Sequence, residues 1–505
     1  MMRLDATLRR GLGRPDERGQ PFSWRFTTPM FLGSALNPIN SSLIATALVP
    51  IARGVHVSVG RTAALVSLLY LASAIAQPTF GKLAEEFGPR RVFLFGITLV
   101  LAGGLVGGFG HTITILVIAR VLIGIGTSGG YPSAMLMIRR RAESAGMAAP
   151  PGGVLGGLQI AGTAAVALGL PIGGVLVNAF GWRSVFFANV PVTVVALVLA
   201  AAWLPRDPAL AGSWSARRIA KRIDLVGIIA FGGAIAALLV FLDGLPQRHW
   251  VALALAGVLG IALVVWELRA RPAFFDVRLL ASNLALSRTY LRFALTSLCI
   301  YTVLYGVSQW LEAVRGYSAQ DAGLLILPMA GLSAVLIRPI SQRNLVRGPL
   351  IAAAVTSIAG AIGVLLLGTS TPVIGIIAVT LIFGVTVGTY APANQTALYT
   401  QIDAHQIGTA AGLLRTFGYI GSIGSAAILS VVFHNHVSDH GLHQIAVIMI
   451  GASIIVLLFT LADHSLRKRV GSEGPAHLPS TTHPEGEKAM HRIRRSSPSQ
   501  KAEAR

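Results

Sequence analysis

Residues 62–80 read TAALVSLLYLASAIAQPTF, residues 81–91 read GKLAEEFGPRR, and residues 92–110 read VFLFGITLVLAGGLVGGFG. Two uncharged apolar runs flank a short loop that holds Lys82, Glu85, Glu86, Arg90 and Arg91. At 1.5 Å of rise per residue, each run makes a helix about 28 Å long, close to the roughly 30 Å of a bilayer's hydrocarbon core. The stretch therefore reads as two membrane-crossing helices joined by a charged turn.

The same alternation continues in both directions. Apolar runs of spanning length fall near 29–51, 62–80, 92–110, 113–137, 154–178, 184–204, 224–243, 250–268, 288–311, 322–341, 349–368, 373–397, 407–433 and 443–463, about fourteen in all. The fold class expected is all-α, a polytopic membrane protein.

Composition agrees. The 505 residues are 53% hydrophobic and 12% charged, with mean hydropathy +0.68. Soluble domains carry about 25% charge, so most of this chain's surface must face something other than water. The net charge of +21 could be read as a nucleic-acid signal. Its placement argues against that, because the cations sit in alternate loops. One side carries Lys82, Arg90, Arg91, Arg139, Arg140 and Arg141, then Arg206, Arg217, Arg218, Lys221 and Arg222, then Arg269, Arg271, Arg278, Arg343 and Arg347. The other carries little beyond Arg53, Arg61, Arg183, Arg248 and Arg315. By the positive-inside rule the rich side is cytoplasmic, and an even number of spans leaves both termini there.

The segment before the first span is polar and Arg-rich and lacks the pattern of a cleaved secretory signal. The single cysteine, Cys299, excludes an intramolecular disulfide and a cysteine-based metal site. Gly126-Thr-Ser-Gly-Gly130 matches a serine-hydrolase elbow in letters only, since it lies inside an apolar helix rather than at a strand-to-helix turn. Lys82 follows a glycine but precedes Leu83, so there is no Walker A loop and ATP is not the direct energy source. The histidines at 434, 436, 440 and 443 read as a solvated loop. No catalytic residue, metal ligand or cofactor is expected.

Several side chains stand out on physical grounds. Arg120 lies inside an apolar run, where a guanidinium costs about 3 kcal/mol by insertion scales, so it must face the protein interior and find partners. Arg120, Gly124, Thr127 and Tyr131 fall on one helical face. A structural ion pair and a part in gating both fit that placement. Arg415, with Tyr419 and Ser422, repeats the logic later in the chain. Tyr301, Tyr305, Gln309 and Glu312 form a stripe at helical spacing, either packing or an aromatic wall with polar tips suited to amphipathic ligands. Asn37, Asn40, Tyr131, Tyr390 and Asn394 are the other residues expected around a cavity. The loop at 81–91 is either a solvated turn or a set of charge pairs that break and reform as helices move.

At this loop the chain resembles the major facilitator superfamily, whose signature here is Gly-x-Leu-Ala-Asp-x-x-Gly-Arg-Arg/Lys. Gly81, Leu83, Ala84, Gly88, Arg90 and Arg91 match it, with Glu85 in place of Asp. Arg120-Val-Leu-Ile-Gly-Ile-Gly126 is similar to the family's buried Arg-x-x-x-Gly-x-Gly element. Gly169-Leu-Pro171-Ile-Gly173-Gly174 resembles the antiporter motif with its proline displaced by one. Gly181-Trp-Arg-Ser-Val-Phe-Phe-Ala-Asn-Val-Pro191, Asp224, Arg315-Gly-Tyr-Ser with Ala322-Gly323, and Arg415-x-x-Gly-x-x-Gly421 resemble the fourteen-span drug:proton antiporter branch.

The resemblance implies two six-helix bundles, residues 29–204 and 269–463, separated by two extra helices at 224–268. A cytoplasmic segment at 1–28, a cytoplasmic loop at 205–223 and a disordered cytoplasmic tail at 464–505 complete the expected layout. It also implies a secondary active exporter of small amphipathic compounds, drug or metabolite, working by alternating access with proton antiport. The alternative is an uncoupled facilitator or a dedicated exporter of an endogenous metabolite. The expected partners are a small-molecule substrate, protons and the lipid bilayer, not nucleic acid, in a monomer of the bacterial plasma (inner) membrane. Coupling and gating would fall to Arg120, Glu85, Arg90, Arg91, Asp243, Glu312 and Arg415. One departure bears on this. The branch's first-span acid position is occupied by Asn40, which cannot titrate, so a coupled proton would need Asp243, Glu312 or Glu85.

Overall fold

In hydrocarbon every backbone N–H and C=O must be bonded within its own segment or barrel. Among the described residues all regular structure is helical. The structure is a computed structural model that describes residues 21–57, 62, 64–147, 149–208, 224–243, 249–270, 274, 277–317, 319–403, 406–433 and 436–467. Most of the expected N-terminal segment, most of the 205–223 loop and most of the tail lie outside them.

The first helices are α1 (Trp24–Leu43), α2 (Leu48–Gly54), α3 (Ala64–Phe87), α4 (Pro89–Gly108), α5 (Ile113–Thr127), α6 (Gly130–Ser144), α7 (Gly152–Phe180), α8 (Ser184–Phe187) and α9 (Asn189–Trp203). Next come α10 (Leu225–Asp243), α11 (Trp250–Glu267) and α12 (Val277–Ser282). The last are α13 (Leu284–Thr302), α14 (Ser308–Ala313), α15 (Ala319–Gln342), α16 (Arg347–Leu365), α17 (Val373–Gln401), α18 (Ile407–Val432) and α19 (Asp439–Ala462).

Eleven helical runs among the described residues are long and apolar enough to cross a membrane. The chain is thus an all-helical, multi-pass protein. Within α7 and α10 the shorter apolar stretches are Gly152–Val166 and Leu225–Leu238. The expected first span is helical, with Pro29 and Pro38 inside α1 and a 3₁₀ turn, Ile44–Ala47, between it and α2. Asn37 and Asn40 dilute its apolar character further.

Packing divides the helices into two groups. In the first, α1 lies against α7 and α9, and α5 against α3 and α4; in the second, α17 lies against α15 and α16, α13 against α18, and α16 against α19. The α10–α11 pair packs on itself, with α10 also touching α3 and α18. Lipid supplies no hydrophobic drive between helices, so close backbone approach matters. Between α4 and α5 it is reached at Gly96 and Gly126, where a Cβ on either would stand 2.6 Å from the other's carbonyl oxygen.

The two groups share a buried apolar cluster that runs from Phe26 through Phe80 and Met135 to Leu398 and Tyr419. A second cluster, from Cys299 to Met449, belongs to the later helices alone.

Candidate functional site

The groups meet along α3 and α18, along α7 and α15, and where α6 touches α18. At the end of α3, Glu85 Oε1 accepts from the Thr409 backbone N–H (2.7 Å) and Oε2 from the Thr409 hydroxyl (2.9 Å). Glu85 therefore caps the first turn of a helix in the opposite group, where the unpaired N–H groups and the helix dipole favour an anion. Lys82 Nζ stands 4.0 Å from the same carboxylate. Arg90 and Arg91 do a different task within the first group. Their backbone N–H groups donate to the Asp207 carboxylate (3.3 and 2.8 Å), while their side chains reach the carbonyls of Ala201 and Pro208 (both 2.8 Å). The preceding Gly88 has φ +99°, and a Cβ there would collide with the Asp207 carboxylate. Glycine is thus required twice over at this corner.

Further along α3, the Thr416 hydroxyl donates to Ala74 O (2.7 Å) and Gln77 Nε2 donates to Tyr419 Oη (3.0 Å). Tyr419 in turn donates to Asn37 Oδ1 (2.9 Å), and Asn37 Nδ2 donates to Ser73 Oγ (3.0 Å) and Thr127 Oγ1 (2.9 Å). Asn37, expected near a cavity, thus sits on the seam between the groups. Arg415 also crosses that seam. Its Nη2 donates to Gln159 Oε1 (3.3 Å), and its guanidinium carbon lies 4.1 Å from the centre of the Tyr131 ring, a cation–π contact. Gln159 Nε2 donates to Gln395 Oε1 (2.6 Å), and Tyr399 donates to Met135 O (3.1 Å).

Tyrosine rings gather at the same level. Tyr70 and Tyr419 have centroids 5.8 Å apart, Tyr301 and Tyr305 5.7 Å apart, and Tyr390 lies 5.1 Å from Phe293. The expected stripe of four does not continue, because a π turn, Val303–Val307, interrupts the helix. Its i→i+5 bonding shifts the register of the residues beyond it relative to the face that Tyr301 and Tyr305 share. Gln309 and Glu312 are exposed, and Glu312 accepts from Ser308 Oγ (3.3 Å).

Arg120 is buried, as its cost requires. Its Nε donates to Leu65 O (2.8 Å) and Nη1 to Asn40 O (3.3 Å); Nη2 has no partner among the described residues. Ser128 and Gly129, between α5 and α6, keep right-handed helical backbone (φ −67° and −74°), so Arg120 and Tyr131 lie on one helical run, Ile113–Ser144. Asn40 is 2% exposed and exchanges amide bonds with Asn189 at 2.7 and 3.0 Å, inside the first group. Asn394 is likewise occupied, accepting from Arg292 Nε (3.3 Å) and donating to Tyr390 O (2.8 Å). In the antiporter-like segment, Gly169 packs on Ser42 and Gly173 on Thr46, while Gly174 has open space beside it. The Pro171 and Asp243 side chains lie outside the described set.

Sequence reasoning missed Tyr70, Gln77, Gln159, Gln395 and the buried pair Arg292–Asp463 (3.4 Å). Each of those amides and Arg292 falls inside an apolar run, so its cost in lipid was a usable signal. The seam as a whole brings together amides, hydroxyls, rings and one guanidinium.

The sequence pattern of the Major Facilitator Superfamily matches residues 30–426. The uncharacterized MFS-type transporter YwoD of Bacillus subtilis (strain 168) is 31% identical over 448 residues, 88% of this chain and 97% of that protein. The tetracenomycin C resistance and export protein of Streptomyces glaucescens is 27% identical over 439 residues, 84% of this chain and 78% of that one. The crystal structure of the human organic anion transporter MFSD10 covers 88% of this chain and 100% of its own, with a TM-score of 0.61. At 16% identity that likeness shows the fold alone.

Proposed function

The chain belongs to the major facilitator superfamily, a family of membrane transporters and not of enzymes, and from that premise we propose that it exports small amphipathic compounds by alternating access, in exchange for protons. The observation that carries this reading is the seam itself: two helix groups meet across polar and aromatic side chains, and the Glu85–Thr409 contact fastens them at one edge. Release of that edge would open the seam on the Glu85 side, and its closure would leave access from the other.

In this reading the membrane is the bacterial plasma membrane, and both termini and the Glu85 edge are cytoplasmic. The spans number fourteen, counting α1 with α2, α7 and α10, so that bundles at 29–204 and 269–463 flank an extra pair. This is the layout of the drug:proton antiporter branch, and the Streptomyces glaucescens relative is by name a resistance and export protein. Glu85, Arg120 and Arg415 carry gating and coupling, with Arg90 and Arg91 holding the loop that presents Glu85. Tyr131, Tyr301, Tyr305, Tyr390 and Asn37 line the substrate path. One proton moving down about 100 mV supplies about 2.3 kcal/mol, enough for about a fortyfold gradient of a neutral solute.

The test is a compound screen in a host stripped of its own efflux pumps, followed by uphill efflux of a compound it returns, with and without a protonophore. Collapse of efflux on adding the protonophore is the expected outcome. Unchanged efflux removes the coupling.

A further inference from the structure

The acids and bases of this chain are distributed unequally with depth. Glu85, Glu267, Glu312, Asp321 and Asp439 all lie in the first or last turn of a membrane-length helical run. Arg120, Arg292 and Arg415 lie about two turns or more inside theirs. Of these three, Arg292 meets a carboxylate, Asp463 at 3.4 Å. Arg120 and Arg415 have no carboxylate within ion-pair distance among the described residues. Arg415 is the one on the seam, and what it touches there is neutral: the Gln159 amide oxygen at 3.3 Å and the face of Tyr131 at 4.1 Å. Arg120 lies within the first group, its Nη2 buried and without a partner among the described residues.

From this we infer that the substrate class is organic anions, the negative group held by Arg415 and the aromatic or aliphatic body laid on the tyrosine rings of the seam. The inference rests on the export reading and narrows its cargo. A partly buried guanidinium with no carboxylate in ion-pair reach among the described residues attracts an anion and repels a cation by the same field. Its planar fork matches carboxylate, sulfonate or phosphate oxygens. The Gln159 amide is a weak neutral partner that an anion displaces, and Gln395, already bonded to Gln159 at 2.6 Å, can retain it. Tyr70, Tyr419, Tyr301 and Tyr305 supply ring area from both groups. Outward movement of a negative charge also runs with an inside-negative membrane potential, so the charge that Arg415 selects is the charge that export favours.

The test uses the full-length chain in lipid nanodiscs and three probes with one aromatic body: 2-naphthylacetate, 2-naphthylacetamide and 2-naphthylmethyl-trimethylammonium. Binding is read by titration calorimetry against empty nanodiscs. The anion is expected to bind at least about tenfold more tightly than the cation. Arg415→Gln should bring the two within about threefold. Gln159→Glu is a second variant that leaves the arginine in place and sets a carboxylate beside it; it should abolish the anion preference as well. A cation bound as tightly as the anion, no binding of the anion, or a preference that survives both variants would overturn the inference. Because these are equilibrium affinities, they stand apart from the protonophore test, and either reading can fail without the other.

Discussion

At the scale of single residues, the two buried guanidiniums of the first and second groups solve the same problem differently. Arg292 is 1% exposed and meets the Asp463 carboxylate at 3.4 Å, the Thr289 hydroxyl at 2.9 Å and the Asn394 amide oxygen at 3.3 Å. Arg120 makes do with two carbonyls. Removing one member of a buried ion pair strands the other, at a cost of about 3–5 kcal/mol, while removing both is far milder. Asp463→Asn and Arg292→Met should therefore each destabilise the purified protein by about 3 kcal/mol or more. The double variant should recover most of that loss, as read by thermal unfolding in detergent. Single variants that melt with the unmodified chain would show that the pair holds nothing together. The same comparison at Asn40 and Asn189, a reciprocal amide pair, should give a smaller loss for Asn40→Leu of about 1–3 kcal/mol, the cost of one stranded buried amide.

At the scale of elements, the capping of α18 by Glu85 is the contact whose loss should change a conformational equilibrium rather than a fold. A hydrogen bond to a charged group contributes about 1.5–3 kcal/mol, enough to move a two-state population by about tenfold or more. In a Cys299→Ala background, a thiol placed by Thr416→Cys on the seam should react with a water-soluble maleimide about tenfold faster once Glu85→Ala is added. Equal rates would mean that the cap does not hold this edge closed. Much at this scale was legible beforehand. Runs of spanning length are set by bilayer thickness, and α3 through α6, α9, α11 and α13 through α19 coincide with apolar runs to within several residues. What stayed hidden was a departure that leaves no mark in composition. The π turn at Val303–Val307 replaces one bonding pattern by another among ordinary residues and separates Gln309 and Glu312 from the tyrosines. Helical spacing can be extrapolated only across an uninterrupted α-helix.

At the scale of the whole molecule, Tyr131 and Arg415 still meet, although their own helices do not explain it: one comes from α6 and the other from α18, and only the packing of the two groups joins them. Long-range pairing of this kind was not readable from spacing, whereas the cost of each polar side chain in lipid was. The seam also defines the motion that the proposed mechanism requires. If transport proceeds by rocking of the groups, the Glu85–Thr409 edge must part once in every cycle. A Glu85→Cys, Thr409→Cys variant in the Cys299→Ala background, treated with a short bis-methanethiosulfonate linker, ties that edge shut without touching the tyrosines or Arg415. Efflux of a screened compound from the linked protein should fall more than about tenfold relative to the same variant unlinked, and reductant should restore it. Binding from the opposite side should persist, since that access does not depend on the edge. Export that continues at the unlinked rate would show that the groups do not separate there, and the path would have to run elsewhere than along the seam.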